Sequence, residues 1–365
     1  MSAASETLAR AATLMEESLT ESTGLKDLPR KVVTYWTLST HSLRNVNTYP
    51  ILCLLGKMAT GKSQTLAIIE NFARCPVRLS LRGMTTPTIR DKLAEAYNGT
   101  AIVEEADSAW KDSESTVERL LSDRYQRRSA KESHKVKSGD NWNSADKEYF
   151  GATVLHRRIP FNDAALDGRT VRVRFRPDHT RQYRKYQAED PWNEEGRELL
   201  RGFVFEPVEV DQPQDVAGRI FDTYQPLLST AKLCRDEHFA EELRSKMLQE
   251  TLELKEAQSS EPDGLVLAAI IERVFLNGEA QFENIKLSTL SESIFSNQRL
   301  SLSPRQIGPI ARDLGFETKP SHGLTVVAPT LATLLKACDE CEYTDEAIDE
   351  LRRMVLGATV APDTK

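Results

Sequence analysis

Gly56-Lys57-Met58-Ala59-Thr60-Gly61-Lys62-Ser63 fits the pattern G-x-x-x-x-G-K-[ST], the phosphate-binding P-loop. The pattern has its physical meaning only between a buried strand and the start of a helix, and both flanks are present. Ile51-Leu52-Cys53-Leu54-Leu55 is a short apolar run that reads as a buried strand. Gln64-Thr65-Leu66-Ala67-Ile68-Ile69-Glu70 carries apolar residues at helical spacing. Backbone N–H groups of the loop and the positive end of the helix dipole then face an anion. Lys62 would reach the terminal phosphates of a nucleotide, and the Ser63 hydroxyl would hold Mg2+. Residues Gly56 to Gln64 form the expected nucleotide contact, and the expected fold is α/β, with a parallel sheet at its core.

The rest of the composition narrows the class. At 365 residues the chain has room for several domains. Hydrophobic residues at 39% and charged residues at 28% suit a globular protein, and no apolar run approaches the ~20 residues of a membrane span. The start of the chain lacks a basic segment followed by an apolar one, so the expectation is a cytoplasmic protein without a signal peptide. Five scattered cysteines agree with a reduced compartment, and Cys338 and Cys341 read as packing residues rather than a metal or redox pair. The net charge is −7, yet Arg119 to Lys185 holds seventeen Lys/Arg against eight Asp/Glu. Such a basic stretch suits either a nucleic-acid channel or phosphate-contacting arginines.

In chain order, residues 1–48 read as an N-terminal helical extension, 49–206 as the nucleotide-binding core, and 207–258 as a helical lid. Within the core, Pro76–Leu81 reads as a strand and Thr86-Pro87 as a helix start. Thr100-Ala101-Ile102-Val103-Glu104-Glu105 is an apolar strand ending in acids, the form of a Walker B element. Glu104 would help Ser63 hold Mg2+, and Glu105 would polarise the attacking water as general base. Arg127, Arg128, Lys131, Lys135 and Lys137 crowd a polar loop or hairpin before the next strand and are the expected nucleic-acid contacts there. His156 falls just beyond Tyr149–Leu155, at the strand end where ligands gather. Thr170–Arg176 alternates as an edge-like strand with a basic, solvated face, and 177–206 reads as a short helix plus linker.

Residues 262–330 show three helical segments and a two-stranded wing around Pro320–Gly323, the pattern of a winged helix. Ser303 caps the third helix, whose exposed face carries Arg305, Gln306 and Arg312. That face suits a DNA groove or a protein contact, and Arg305 is taken as a nucleic-acid contact. Residues 331–365 read as a helical acidic tail.

The order of P-loop, Walker B, strand with a polar end, Gly168-Arg169 strand entry and helical lid resembles that of AAA+ ATPases. It resembles more narrowly the helicase-like ATPases of phages, plasmids and integrated mobile elements. The stretches Trp36–His41, Val103–Asp107, Arg219–Leu228 and Leu302–Ile307 carry that likeness. The resemblance implies ATP and Mg2+ as cofactors. It gives His156 the sensor 1 position and Arg169 an arginine-finger role in a neighbouring subunit, with Arg124 as its rival. Arg219 becomes a second sensor of the terminal phosphate. A finger acting in trans implies a homo-oligomer, a hexameric ring. The function so implied is an ATP-dependent motor translocating on single-stranded or forked DNA, a replicative helicase partnered by a primase or other replication protein. The alternative is an ATP-dependent DNA-binding regulator or loader that does not unwind.

Overall fold

The computed structural model describes residues 2–81, 84–104, 114–138, 141–159, 161, 163–176, 182–259, 261–275, 280–298, 301–321, 324–341, 343, 348–349 and 351–353. The chain divides into two compact units, Met1–Gln249 and Glu250–Lys365.

The first unit begins with α1 (Ala3–Ser22), α2 (Asp27–Ser39) and a 3-10 turn over Thr40–Asn45. The alternation then starts: β1 (Ile51–Leu55), α3 (Lys62–Phe72), β2 (Pro76–Ser80), α4 (Thr86–Glu95), β3 (Thr100–Glu104) and α5 (Glu114–Arg124). A hairpin follows, β4 (Lys131–Ser138) and β5 (Asn141–Glu148), before β6 (Ala152–Arg157), α6 (Ala164–Asp167) and β7 (Thr170–Arg174). The unit is completed by α7 (Pro191–Leu200), α8 (Gly218–Cys234) and α9 (Glu237–Ser259), within which the boundary falls.

Five strands form one sheet in the order β2-β3-β6-β1-β7, and all neighbours run parallel. Every residue of β1 is buried, as a strand covered on both faces requires. Pro76 lacks an N–H and opens β2, at a sheet edge, where the missing donor costs least. The chain leaves β1 for β2 at the far edge, returns through β3 and β6, and then passes β1 to reach β7. In a parallel sheet such a reversal opens a crevice at the carboxyl ends of the strands. β7 is an edge strand, in line with its alternating sequence.

Helix covers Ala3–Ser22 and Asp27–Ser39 of the first segment, and α1 and α2 are packed into the unit. Leu8, Met15 and Trp36 have no exposed surface. The Trp36 indole donates to the Pro50 carbonyl at 3.0 Å, and the Tyr49 hydroxyl donates to Trp36 O at 2.7 Å. Two buried aromatics therefore satisfy their polar atoms while tying α2 to the entry of β1.

Arg124 is the largest departure from its expected place. Its guanidinium is fully buried and donates to the carbonyls of Leu93, Ala96, Gly99, Tyr149 and Ala152 and to Thr153 Oγ1. Burial pulls its pKa down to about 9, which leaves it charged at neutral pH. A guanidinium enclosed in this way holds α4, β3 and β6 together and cannot reach into a neighbouring molecule, which removes it as the rival arginine finger.

The basic stretch after α5 is a full antiparallel ribbon, Lys131 pairing with Glu148 and Ser138 with Asn141. Its base is tied to α4 by Lys147–Asp91 at 2.7 Å and Arg90–Glu132 at 3.2 Å.

The second unit contains α10 (Pro262–Val274), β8 (Ile285–Lys286), α11 (Leu287–Gln298), α12 (Pro304–Asp313), β9 (Glu317–Ser321), β10 (Leu324–Ala328) and α13 (Leu331–Glu340). Its sheet is antiparallel in the order β8-β10-β9. Ser303 precedes α12 as its cap, and its N–H donates to Gln306 Oε1 at 3.0 Å. The segment after 330 is no mere tail: Leu334, Ala337 and Cys338 of α13 are buried in this unit's core with Ile270, Leu290 and Ile307. Cys338 is thus a packing residue, and both cysteines of that pair are free thiols.

Replacing Arg124 with Met would leave buried carbonyls without donors. The R124M variant is expected to lose about 3 kcal/mol of stability, read as a lowered urea midpoint.

Candidate functional site

The loop between β1 and α3 has the backbone its sequence needs. Gly61 stands at φ +93° at the amino end of α3, where a side chain would be strained. Ala59 also lies in the left-handed region at φ +58°, at a cost of about 1 kcal/mol. Gly56 has no room for a Cβ, which would lie 2.9 Å from the Cβ and carbonyl oxygen of Phe175, just past β7. The loop is therefore fixed against the edge strand at its start and turned sharply at its end.

Lys62 is buried, 7% exposed. Its ammonium donates to Gly56 O at 2.7 Å, Lys57 O at 2.5 Å and Thr60 Oγ1 at 3.4 Å. These neutral acceptors curl the loop around the amine, and a phosphate oxygen would be a stronger, charged acceptor for the same donor. Ser63 is exposed on the first turn of α3 and Gln64 half-buried beside it.

A cavity of about 850 Å³ opens over this loop. Its wall includes Met58 to Gln64, His156, Arg158, Arg176 and Tyr183–Lys185, with Ser22–Gly24 from the end of α1. None of the described lining residues is acidic. Of the residues expected from sequence, the loop and His156 come together here. His156 pairs in register with Leu54 of β1, so it stands one residue from the carboxyl end of β6, beside the loop's origin.

Glu104 ends β3, two strands away from β1 across β6. Its Oε1 accepts from Arg78 at 2.5 Å, while Arg78 Nε also donates to both Glu70 oxygens at 2.8 Å. The expected magnesium-holding carboxylate is thus engaged by an arginine on the edge strand. Glu105 lies outside the described residues.

Arg169 and Arg219 stand elsewhere. Thr170 pairs with Ile51, so Arg169 is at the amino ends of the strands, roughly 16 Å of strand away from the loop. Its guanidinium bonds to Ser122 and lies 5.4 Å from the Tyr125 ring centre. Arg219 packs on Gly168 and donates to the Ala165 carbonyl, at that same end. Neither lines the cavity, and no residue of the expected lid, 207–258, lines it.

Arg127, expected among the nucleic-acid contacts, is held inside the fold. It donates to Leu43 O at 2.6 Å, Val46 O at 3.2 Å and Asn98 Oδ1 at 3.0 Å, and sits 4.1 Å from the Phe150 ring centre. Arg128, Lys131 and, in the second unit, Arg305 are exposed. Lys135 and Lys137 lie on β4, with side chains outside the described residues.

The residues that sequence reasoning missed are Ser22–Gly24, Arg158, Arg176 and Tyr183–Lys185. A signal existed for two of them, since Arg158 follows directly on the carboxyl end of β6 and Arg176 lies two residues past that of β7.

No protein-family model matches the chain, and no curated protein matches it. Among solved structures it is similar to the A form apo structure of the NrS-1 C-terminal region, residues 305–718. The likeness spans 87% of this chain and 75% of that one, at 12% identity and a TM-score of 0.39, too loose to transfer a site or an activity.

An alanine at Gly61 would have to adopt the left-handed backbone. The G61A variant is expected to lose about 1 kcal/mol of stability and most of its affinity for triphosphate, measured by thermal shift with and without ATP.

Proposed function

We propose that this chain is a P-loop ATPase of the AAA+ type that works as a ring-forming motor on DNA, in the manner of a phage or mobile-element replicative helicase. The observation that carries the reading is the loop itself. A glycine-turned strand-to-helix connection presents Lys62 and Ser63 to a cation-lined cavity at the carboxyl ends of a parallel sheet. That setting selects a polyphosphate: donors and positive charge converge where no described acid opposes them.

For Mg2+ the described lining of the cavity offers one of the two expected oxygen donors, the Ser63 hydroxyl. The Glu104 carboxylate stands outside that lining and is held by Arg78, so it would join the ion only when released from that arginine. When bound, that ion would neutralise charge on the phosphates. Lys62 would exchange its loop carbonyls for phosphate oxygens, and His156 would sit by the reacting end. Glu105 would take the proton of the attacking water. Arg169, at the far end of the strands from its own loop, would act on a neighbouring subunit. The β4–β5 ribbon, with Lys131, Lys135 and Lys137, would reach the DNA. The second unit, read as a winged helix, would offer Arg305 and Arg312 from α12.

One observation favours a second reading. Glu104 is paired with Arg78, which competes with its use as a metal ligand. Slow turnover of that kind suits an ATP-dependent regulator or loader that assembles on DNA without unwinding.

Two measurements test these readings. The K62A variant is expected to lose ATP hydrolysis and to bind ATP at least about tenfold more weakly than wild type. Wild-type protein that binds no ATP would overturn the proposal. On forked DNA, ATP-dependent strand displacement supports the motor, and ATP-dependent binding without displacement supports the regulator. Replacing Lys135 and Lys137 with Ala is expected to weaken DNA binding and flatten its salt dependence. Unchanged DNA affinity in that variant would remove the ribbon from the interface.

A further inference from the structure

We propose that Arg176 and Lys185 are polyphosphate-binding residues of their own chain's cavity, and that they carry the phosphate-contacting role that the resemblance to AAA+ ATPases implies for Arg219. This rests on the nucleotide reading above.

Both residues line the cavity over the P-loop, and both are exposed. Neither forms a hydrogen bond or ion pair with a described residue, whereas Arg184 in the same lining is paired with Asp190. Each is set on backbone that is fixed relative to the loop. The Phe175 N–H donates to Leu55 O at 2.6 Å, and Phe175 fills the space where Gly56 has no side chain. Arg176 therefore leaves the sheet directly beside the first residue of the P-loop.

Lys185 is presented by a strap. The Arg184 N–H donates to Glu21 O at 3.0 Å, at the end of α1. The Tyr186 N–H donates to Gln64 Oε1 at 3.3 Å, on the first turn of α3. Arg184 itself is anchored by Asp190 at 2.5 Å and lies 5.7 Å from the Trp192 ring centre. The residue between these two moorings is Lys185, which lines the same cavity as Lys62. Arg219, by contrast, is bound to Ala165 at the amino ends of the strands.

The electrostatics point the same way. Lys62, Arg176 and Lys185 face one space with no described acid among its lining, so their mutual repulsion is relieved by an anion and by little else. A single ammonium cannot balance a triphosphate; of the other cations in the lining Arg184 is paired with Asp190 and Arg158 is engaged in the fold, so Arg176 and Lys185 supply what the loop lacks.

The test uses the full chain and a fluorescent ATP analogue, with inorganic tripolyphosphate as competitor. The R176Q and K185Q variants are each expected to bind the analogue about tenfold more weakly and to be less sensitive to salt. The melting temperature without ligand should not fall, because both side chains are exposed, have no partner among the described residues and repel neighbouring cations, while the rise caused by ATP shrinks. R176K should recover part of the affinity. Competition by tripolyphosphate should weaken in parallel, which assigns the contact to phosphate rather than to the base. If R176Q and K185Q bind like wild type, the proposal is overturned and the nucleotide reading stands. If wild-type protein binds neither probe, both fall together.

Discussion

A guanidinium enclosed by peptide carbonyls sets the frame on which this molecule depends. Arg124 gathers oxygens from the end of α4, the turn before β3, and the start of β6. These are the amino ends of two neighbouring strands. With β3 and β6 fixed there, the parallel register carries through to the other end, where Val103 lies beside Leu155 and Leu54 beside His156. The relative heights of Glu104, His156 and the P-loop thus descend from a charge buried five residues of strand away from them. A neutral side chain of similar length would fill the space but satisfy none of the oxygens, so the positive charge is retained despite its desolvation cost.

The structure divides its arginines by what surrounds them. Arg124 and Arg127 are consumed by backbone carbonyls, Arg78 by two carboxylates, and Arg169 and Arg219 by partners at the amino ends of the strands. What reaches the cavity comes from the carboxyl ends of β6 and β7 and from the strap before α7. A basic stretch in sequence is therefore two different things in space, a set of internal staples and a set of groups that line a cavity without a described acid.

Much of the first unit could be read from the chain. β1 is an unbroken apolar run, β3 and β6 carry apolar residues at Ala101–Val103 and Val154–Leu155, α3 has helical spacing, and the glycine motif needs both its flanks, so strand, loop and helix could be read together. The basic segment 131–148 could be read as a loop or hairpin because it lacks apolar periodicity, and the ribbon is what its pairing makes of it. Arg124 could not be placed, because its acceptors are main-chain carbonyls, which every sequence has and none displays. The far wall of the cavity was hidden for a related reason: Ser22–Gly24 and Tyr183–Lys185 are turn-like polar pieces, distant in sequence, that meet only after the sheet has formed. At the other end of the chain, the acidic surface of α13 masked a buried face of Leu334, Ala337 and Cys338.

The position of α1 has a consequence for how the chain comes to be folded. Ser5 donates to the carbonyl of Leu233, Arg10 pairs with Glu195 at 2.7 Å, and Glu21 accepts from the strap. α1 is therefore joined to partners that stand some two hundred residues further along the chain. Contacts closed across so much intervening chain raise the contact order of the first unit, which slows its folding.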